Sequence, residues 1–207
     1  MSNASIAVFG ANGRSGRVFV DAALRAGYSV RAGVHHGNLT PVENLVVIPC
    51  DATNPQEVAE VLLGTQYVVS LLGHVPKSPH LVQTTAIQTV IGEMHKQGIK
   101  RLISLTGTGV RVAGDTPSLV DLVANAIIKH IDPHRINDGI QHAAVVQNSN
   151  LDWTIIRVLK LANSKKSHYR LTPGGPAKLQ TSREEVADAI LAILSDNSTY
   201  GTHPVIS

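Results

Sequence analysis

The chain has a single cysteine, Cys50, among its 207 residues, so no internal disulfide can form. A lone thiol fits a reducing compartment, and Cys50 reads as a buried strand-end residue. Aromatic side chains are almost as scarce: 2 Phe, 1 Trp and 4 Tyr. That leaves little to stack on bases. With no dense Lys/Arg run either, a nucleic-acid partner is not expected. No stretch of about 18 uncharged apolar residues occurs, which argues against a membrane span. Ile6 to Phe9 is too short for the apolar core of a secretory leader, and glycines follow at once, so the expectation is a cytoplasmic protein. No repeat, low-complexity tract or linker divides the sequence, and its length suits one domain over residues 1–207. Histidine is plentiful at 10 residues but scattered. His130 and His134 are four apart, yet Asp132-Pro133 breaks any helix that would align them, and no metal site is expected.

What is present is alternation. Apolar runs of strand length fall near 5–9, 28–34, 45–49, 66–72, 100–106 and 152–158. Longer helical patterns fall near 15–26, 55–63, 80–97, 117–131 and 134–149. Such alternation predicts an α/β protein with a doubly wound parallel sheet and helices on both faces. After the sixth strand the pattern changes. Ala162 to His168 is polar, Leu171-Thr-Pro-Gly-Gly-Pro176 reads as a turn joining two short strands, and Ser182-Arg-Glu-Glu185 is a capping box opening a last helix. Residues 160–207 are expected to form a small C-terminal subdomain shaping a pocket.

The strongest motif is Gly10-Ala-Asn12-Gly13-Arg14-Ser15-Gly16, set between the apolar run Ser5–Phe9 and a helical pattern. A first glycine permits the tight turn and a second lets backbone approach a pyrophosphate. The third lets the helix pack close to the strand, with its N-terminal N–H groups aimed at phosphate. The chain is read as binding a dinucleotide. Ligands of such sheets sit at the carboxyl ends of the strands, which brings Leu72 and Gly73 after strand four, and Thr106 and Gly107 after strand five, into the pocket lining.

The G-x-x-G-x-x-G spacing resembles the short-chain dehydrogenase/reductase superfamily in its extended and atypical branches. Gly27–Val34, Cys50–Thr53, Val68–Gly73, Leu102–Thr108 and Leu151–Arg157 are similar to that family's successive strands, so the resemblance covers most of the chain. Its closest flavour is the NmrA-like group that includes flavin and biliverdin reductases. The resemblance implies a Rossmann fold and an NAD(P)-dependent oxidoreductase. It further implies that Asp51 by its carboxylate and Ala52 by its backbone contact adenine, and that the C-terminal part covers the nicotinamide end.

Cofactor choice follows from another absence. Between Asp21 and Glu43 no acid occurs, whereas an NAD enzyme would place one after strand two for the ribose hydroxyls. Arg31, His35 and His36 stand there instead, with Arg14 nearby in the glycine loop. Guanidinium and imidazole groups favour a 2′-phosphate, so NADP(H) is expected over NAD(H).

The catalytic motif of most of the superfamily, Tyr-x-x-x-Lys, is missing: four residues after Tyr28, Tyr67, Tyr169 and Tyr200 stand Ala32, Leu71, Pro173 and Pro204. The flavin- and biliverdin-reductase-like relatives carry a serine at strand five and a histidine after strand six. Their places fall on Gly107 and Lys160. Thr106 and Thr108 could supply the hydroxyl, Lys160 could hold an anion or donate a proton, and His142 is the other candidate acid. Hydride transfer to a flavin or quinone asks little of the protein beyond ring alignment. Two readings follow: an NADPH-dependent reductase of a small conjugated acceptor, or a non-catalytic NADP(H) sensor of NmrA type acting on a protein partner. A monomer or small homo-oligomer is expected.

Overall fold

The computed structural model describes residues 4–74 and 79–207. Its elements are β1 (Ser5–Phe9), α1 (Arg14–Arg25), β2 (Ser29–Val34), β3 (Leu45–Pro49), α2 (Pro55–Leu62), β4 (Tyr67–Ser70), α3 (Val82–Gln97), β5 (Arg101–Gly107), α4 (Leu119–Ile131), α5 (Pro133–Gln147), β6 (Asp152–Val158), β7 (Leu161–Ala162), β8 (Leu171–Thr172), β9 (Thr181–Ser182), α6 (Arg183–Ile193) and β10 (Val205–Ile206). Eight strands form one sheet in the order β3-β2-β1-β4-β5-β6-β10-β8. It is parallel except at its edge, where β8 runs antiparallel to β10. The expected doubly wound Rossmann-type sheet is therefore present.

Alternation along β1 shows why the sheet is covered on both sides. Ile6 and Val8 point into one core, with Phe19 and Val20 of α1 and Val186 and Ile190 of α6. Ala7 and Phe9 point into the other, with Val58 of α2 and Ile87 and Val90 of α3. A strand buried on both faces reads as a continuous apolar run, which is how Ser5–Phe9 reads. Between β1 and β4 the order of strands reverses, and a crevice opens at their carboxyl ends, the usual ligand position in such sheets.

The C-terminal part departs from expectation in one respect. The turn at Leu171–Pro176 does not join a hairpin: β8 pairs with β10, while β9 pairs in parallel with β7. The turn's carbonyls are claimed from elsewhere. Arg157 Nη2 donates to Pro173 O at 3.2 Å, and Thr116 N donates to Gly174 O at 2.9 Å. Arg157 itself is fully buried and forked onto Asp115 at 2.6 and 2.7 Å, with further bonds to the Val110 and His203 carbonyls. Burial alone would raise the Asp115 carboxyl, but the guanidinium and the Val112 N–H bring it below its ordinary value. Among the described residues no helix is long and apolar enough to cross a membrane.

Candidate functional site

The glycine loop shows a separate reason for each glycine. Gly10 has φ 76°, and a Cβ there would stand 2.8 Å from Leu71 O at the end of β4. A Cβ on Gly16 would strike the carbonyl oxygen of Gly10 and lie 2.6 Å from that of Ala11, so α1 can pack this close only with glycine. Gly13 is the N-cap of α1 and brings no side chain to it.

That bare end is unusual in this molecule. Asn54, Ser118, Asp132 and Ser182 cap α2, α4, α5 and α6 with side-chain oxygens. The first N–H groups of α3, on Gln83 and Thr84, bond the Asp138 carboxylate at 3.0 and 2.9 Å. Among the described helices α1 alone has no side-chain oxygen, its own or a neighbour's, on its first N–H groups, and it faces the crevice. Unpaired N–H groups and the positive end of a helix dipole make an anion site.

The crevice is a cavity of about 860 Å³. One end lies between the tips of β2 and β3. Here His35 and His36 stack with centroids 3.8 Å apart, and Asn12 Nδ2 ties their loop to the glycine loop through His36 O at 2.6 Å. Arg17 holds Asn12 in turn and donates to Asn38 O at 2.9 Å. Asp51 and Ala52 line this end. Asp51 Oδ1 accepts from Thr53 N and Oγ1, while Oδ2 is 3.7 Å from His35 Nε2. The Thr53 bonds, aided by His35 and His36, hold its carboxyl below the usual range. Asp51 thus both closes a turn and faces the histidines.

Arg31 is a correction. It lies away from the cavity wall, where its Nε and Nη2 bond the Val61 and Glu60 carbonyls at 3.1 and 2.6 Å. It closes the C-terminal end of α2, satisfying carbonyls the helix cannot.

The other end is more apolar, walled by Val82, Ala86, Val110, Ala124, Ile128 and Ile136. Leu72, Gly73, Thr106, Gly107 and Lys160 all line the cavity. Lys160 is exposed on the rim, its carbonyl taking the Thr181 N–H at 2.8 Å. Two expected catalytic groups are turned away. Thr108 does not line the cavity: its Oγ1 donates to the buried Asp121 at 2.6 Å and accepts at 3.0 Å from Asn125, which stands between it and the cavity wall. His142 is buried behind the sheet, its Nε2 2.6 Å from Ser104 Oγ. Burial pushes its pKa down, so it is a neutral packing residue.

Two residues at the cavity were not singled out from the sequence. His74 stands 3.6 Å from the fully buried Asp138 carboxylate, with its Nδ1 buried and making no hydrogen bond. Arg183, the first residue of α6, lines the wall beside the glycine loop. With Arg14, Arg135 and Lys160 it makes four permanent cations among the described lining residues, against one acid, Asp51.

Residues 10–197 match the model of a family described as NAD(P)H-binding. In fold the chain is similar to a short-chain dehydrogenase/reductase from Veillonella parvula, whose structure was solved in complex with NADP. The TM-score is 0.82 at 20% identity, over 99% of this chain and 94% of that one. It is also similar to the oxidoreductase ylbE from Lactococcus lactis, with TM-score 0.81 and 18% identity over 98% and 90% of the two chains. A third likeness is to a Rossmann-fold NAD(P)-binding family protein from Shigella flexneri, with TM-score 0.73 and 19% identity over 100% and 94%.

Proposed function

The chain belongs to the NAD(P)H-binding family, and on that premise we propose that it is a reductase passing hydride from NADPH to a small conjugated acceptor such as a flavin or quinone. The observation that carries this reading is the two-ended cavity: a cationic floor with a bare helix end beside an apolar chamber. The glycine loop and the N-terminus of α1 would hold the pyrophosphate, and Asp51 and Ala52 would border the adenine. His35 and His36, at the tip of β2, would meet a 2′-phosphate, which supports NADPH over NADH. When bound, the cofactor supplies the hydride.

The chain's own residues then need only orient and screen. Thr106 and the apolar walls fix the acceptor and exclude water, Lys160 on the rim draws an anionic acceptor in, and His74 is the imidazole placed to move a proton at the apolar end. Reduced flavin and quinol can also take protons from water, so the missing tyrosine is no obstacle.

A sensor that binds NADP(H) without turnover is the second reading. Two observations favour it. Thr108 and His142 are sequestered, and α4 leaves Leu119 75% and Ile127 54% exposed, an apolar face suited to a protein partner. NADPH consumption with a panel of flavins and quinones separates the two. Turnover with any of them supports the reductase. Firm NADPH binding with no turnover on the whole panel refutes it in favour of the sensor.

A further inference from the structure

Arg183 occupies a place that is electrostatically wrong for a cation unless an anion joins it. It is the first residue of α6, at the positive end of that helix. It is 8% exposed, and its Nε is buried with no hydrogen-bond partner. Its Nη1 donates to the neutral Asn163 Oδ1. Of the three carboxylates of its own helix, Glu185 is committed to Lys178 at 2.6 Å and Asp188 to Lys166, while Glu184 is exposed and does not line the cavity. Across the gap stands Arg14, the first residue of α1, on the same cavity wall. Burial lowers the Arg183 pKa, and the charge of Arg14 lowers it further. Two guanidiniums, an unbonded N–H and an uncapped helix end thus share one cavity, whose one acid among the described lining residues is Asp51, beside His35.

We propose that Arg183 is a phosphate ligand, gripping the dinucleotide's pyrophosphate from the C-terminal side while α1 and Arg14 grip it from the other. This rests on the dinucleotide reading and deepens it. The segment that shapes the acceptor chamber becomes part of the cofactor site, so cofactor binding orders the chamber. The glycine loop alone supplies half of the site.

The test compares two nucleotides by titration calorimetry. NADPH carries the pyrophosphate, whereas adenosine 2′-monophosphate has no 5′-phosphate and reaches only the adenosine end. R183Q should weaken NADPH at least about tenfold, as loss of a charge-assisted phosphate contact does, and leave adenosine 2′-monophosphate within about twofold. N163A, which removes the internal acceptor but keeps the guanidinium, should leave NADPH binding within about threefold. Hydrogen exchange on the unmodified chain gives a readout free of any folding defect. NADPH should protect the amides of residues 181–184, and adenosine 2′-monophosphate should not.

Unchanged NADPH affinity in R183Q, or equal loss for both nucleotides, overturns the assignment. A raised KM for FMN with intact NADPH binding also overturns it, by giving Arg183 to the acceptor's phosphate. If the wild-type chain binds neither nucleotide, the dinucleotide reading falls and takes this assignment with it.

Discussion

Replacing Glu185 by Gln removes one negative charge from the joint that holds the C-terminal cover. Oε1 of Glu185 accepts from Ser167 N at 2.8 Å, Ser167 Oγ at 3.0 Å and Lys178 Nζ at 2.6 Å, and Oε2 accepts from Ser182 N at 2.8 Å. Burial alone would raise this carboxyl, but Lys178 and the serine N–H and hydroxyl groups outweigh it and hold the pKa at about 2, against 4.5 ordinarily. A carboxylate depressed in the folded state stabilises it fully above the unfolded value, and the contribution fades as pH falls from there through the folded value. With 1.36 kcal/mol per pKa unit, Glu185 contributes about 3 kcal/mol near neutrality. Less than about 1 kcal/mol of that should be gone at pH 4, and about 2 kcal/mol at pH 3. Urea unfolding of wild type and E185Q, followed by circular dichroism at pH 7, 4 and 3, measures this. The variant should be less stable at pH 7, and the gap should narrow to about 1 kcal/mol at pH 3. A gap that stays constant from pH 7 to 3 would refute the account, because the charge would then not be what the joint depends on.

Three further outcomes follow from the site. Gly13→Asp places a carboxylate at the bare N-cap of α1, where φ −67° and ψ 166° suit it, although its Cβ lies 3.1 Å from Gly10 O and the loop must give slightly. The helix should gain no more than about 0.5 kcal/mol while NADPH affinity, read by titration, falls at least about tenfold, because the new side chain occupies the anion site. His35→Asp should shift preference toward NADH in a paired titration, and tighter NADH than NADPH binding by the wild type would contradict the assignment of His35 and His36. Lys160→Ala should raise the KM for FMN while kcat stays within about tenfold, the pattern of uniform binding. A fall in kcat of about a thousandfold would instead make Lys160 a proton donor.

Most of the sheet was legible because its strands are buried on both faces, and a continuous apolar run such as Ile6–Phe9 needs no partner to be recognised. β10 was not, since two residues after Pro204 carry no period. Among site residues, the glycine loop could be read because each glycine answers a local backbone demand. Arg31 could not, because a cation at mid-strand looks the same whether it meets a phosphate or two helix carbonyls. Thr106 and Thr108 have the spacing of one strand face, but β5 ends at Gly107 and the chain swings Thr108 into the Asp121 network. His74 and Asp138 are far apart in sequence and meet only through α3 and α5. Arg183 was hidden inside a capping box, a pattern that explains Ser182 and Glu185 and says nothing of the two residues between them.

The Arg157 node bears on modularity. One guanidinium binds the loop after β5, the carbonyl of His203 before β10 and that of Pro173 after β8. Pieces of chain 42 and 46 residues removed from Arg157 in either direction are thereby fastened to a single atom group in the sheet. The stretch beyond β6 is consequently not a detachable accessory. Cut away at Leu161, it would leave Arg157 without two of its carbonyl acceptors and strip α6 from the face of β1 and α1. A loop transplanted between relatives could change the chamber's shape only if it kept these anchor points, so variation is confined to the spans between them.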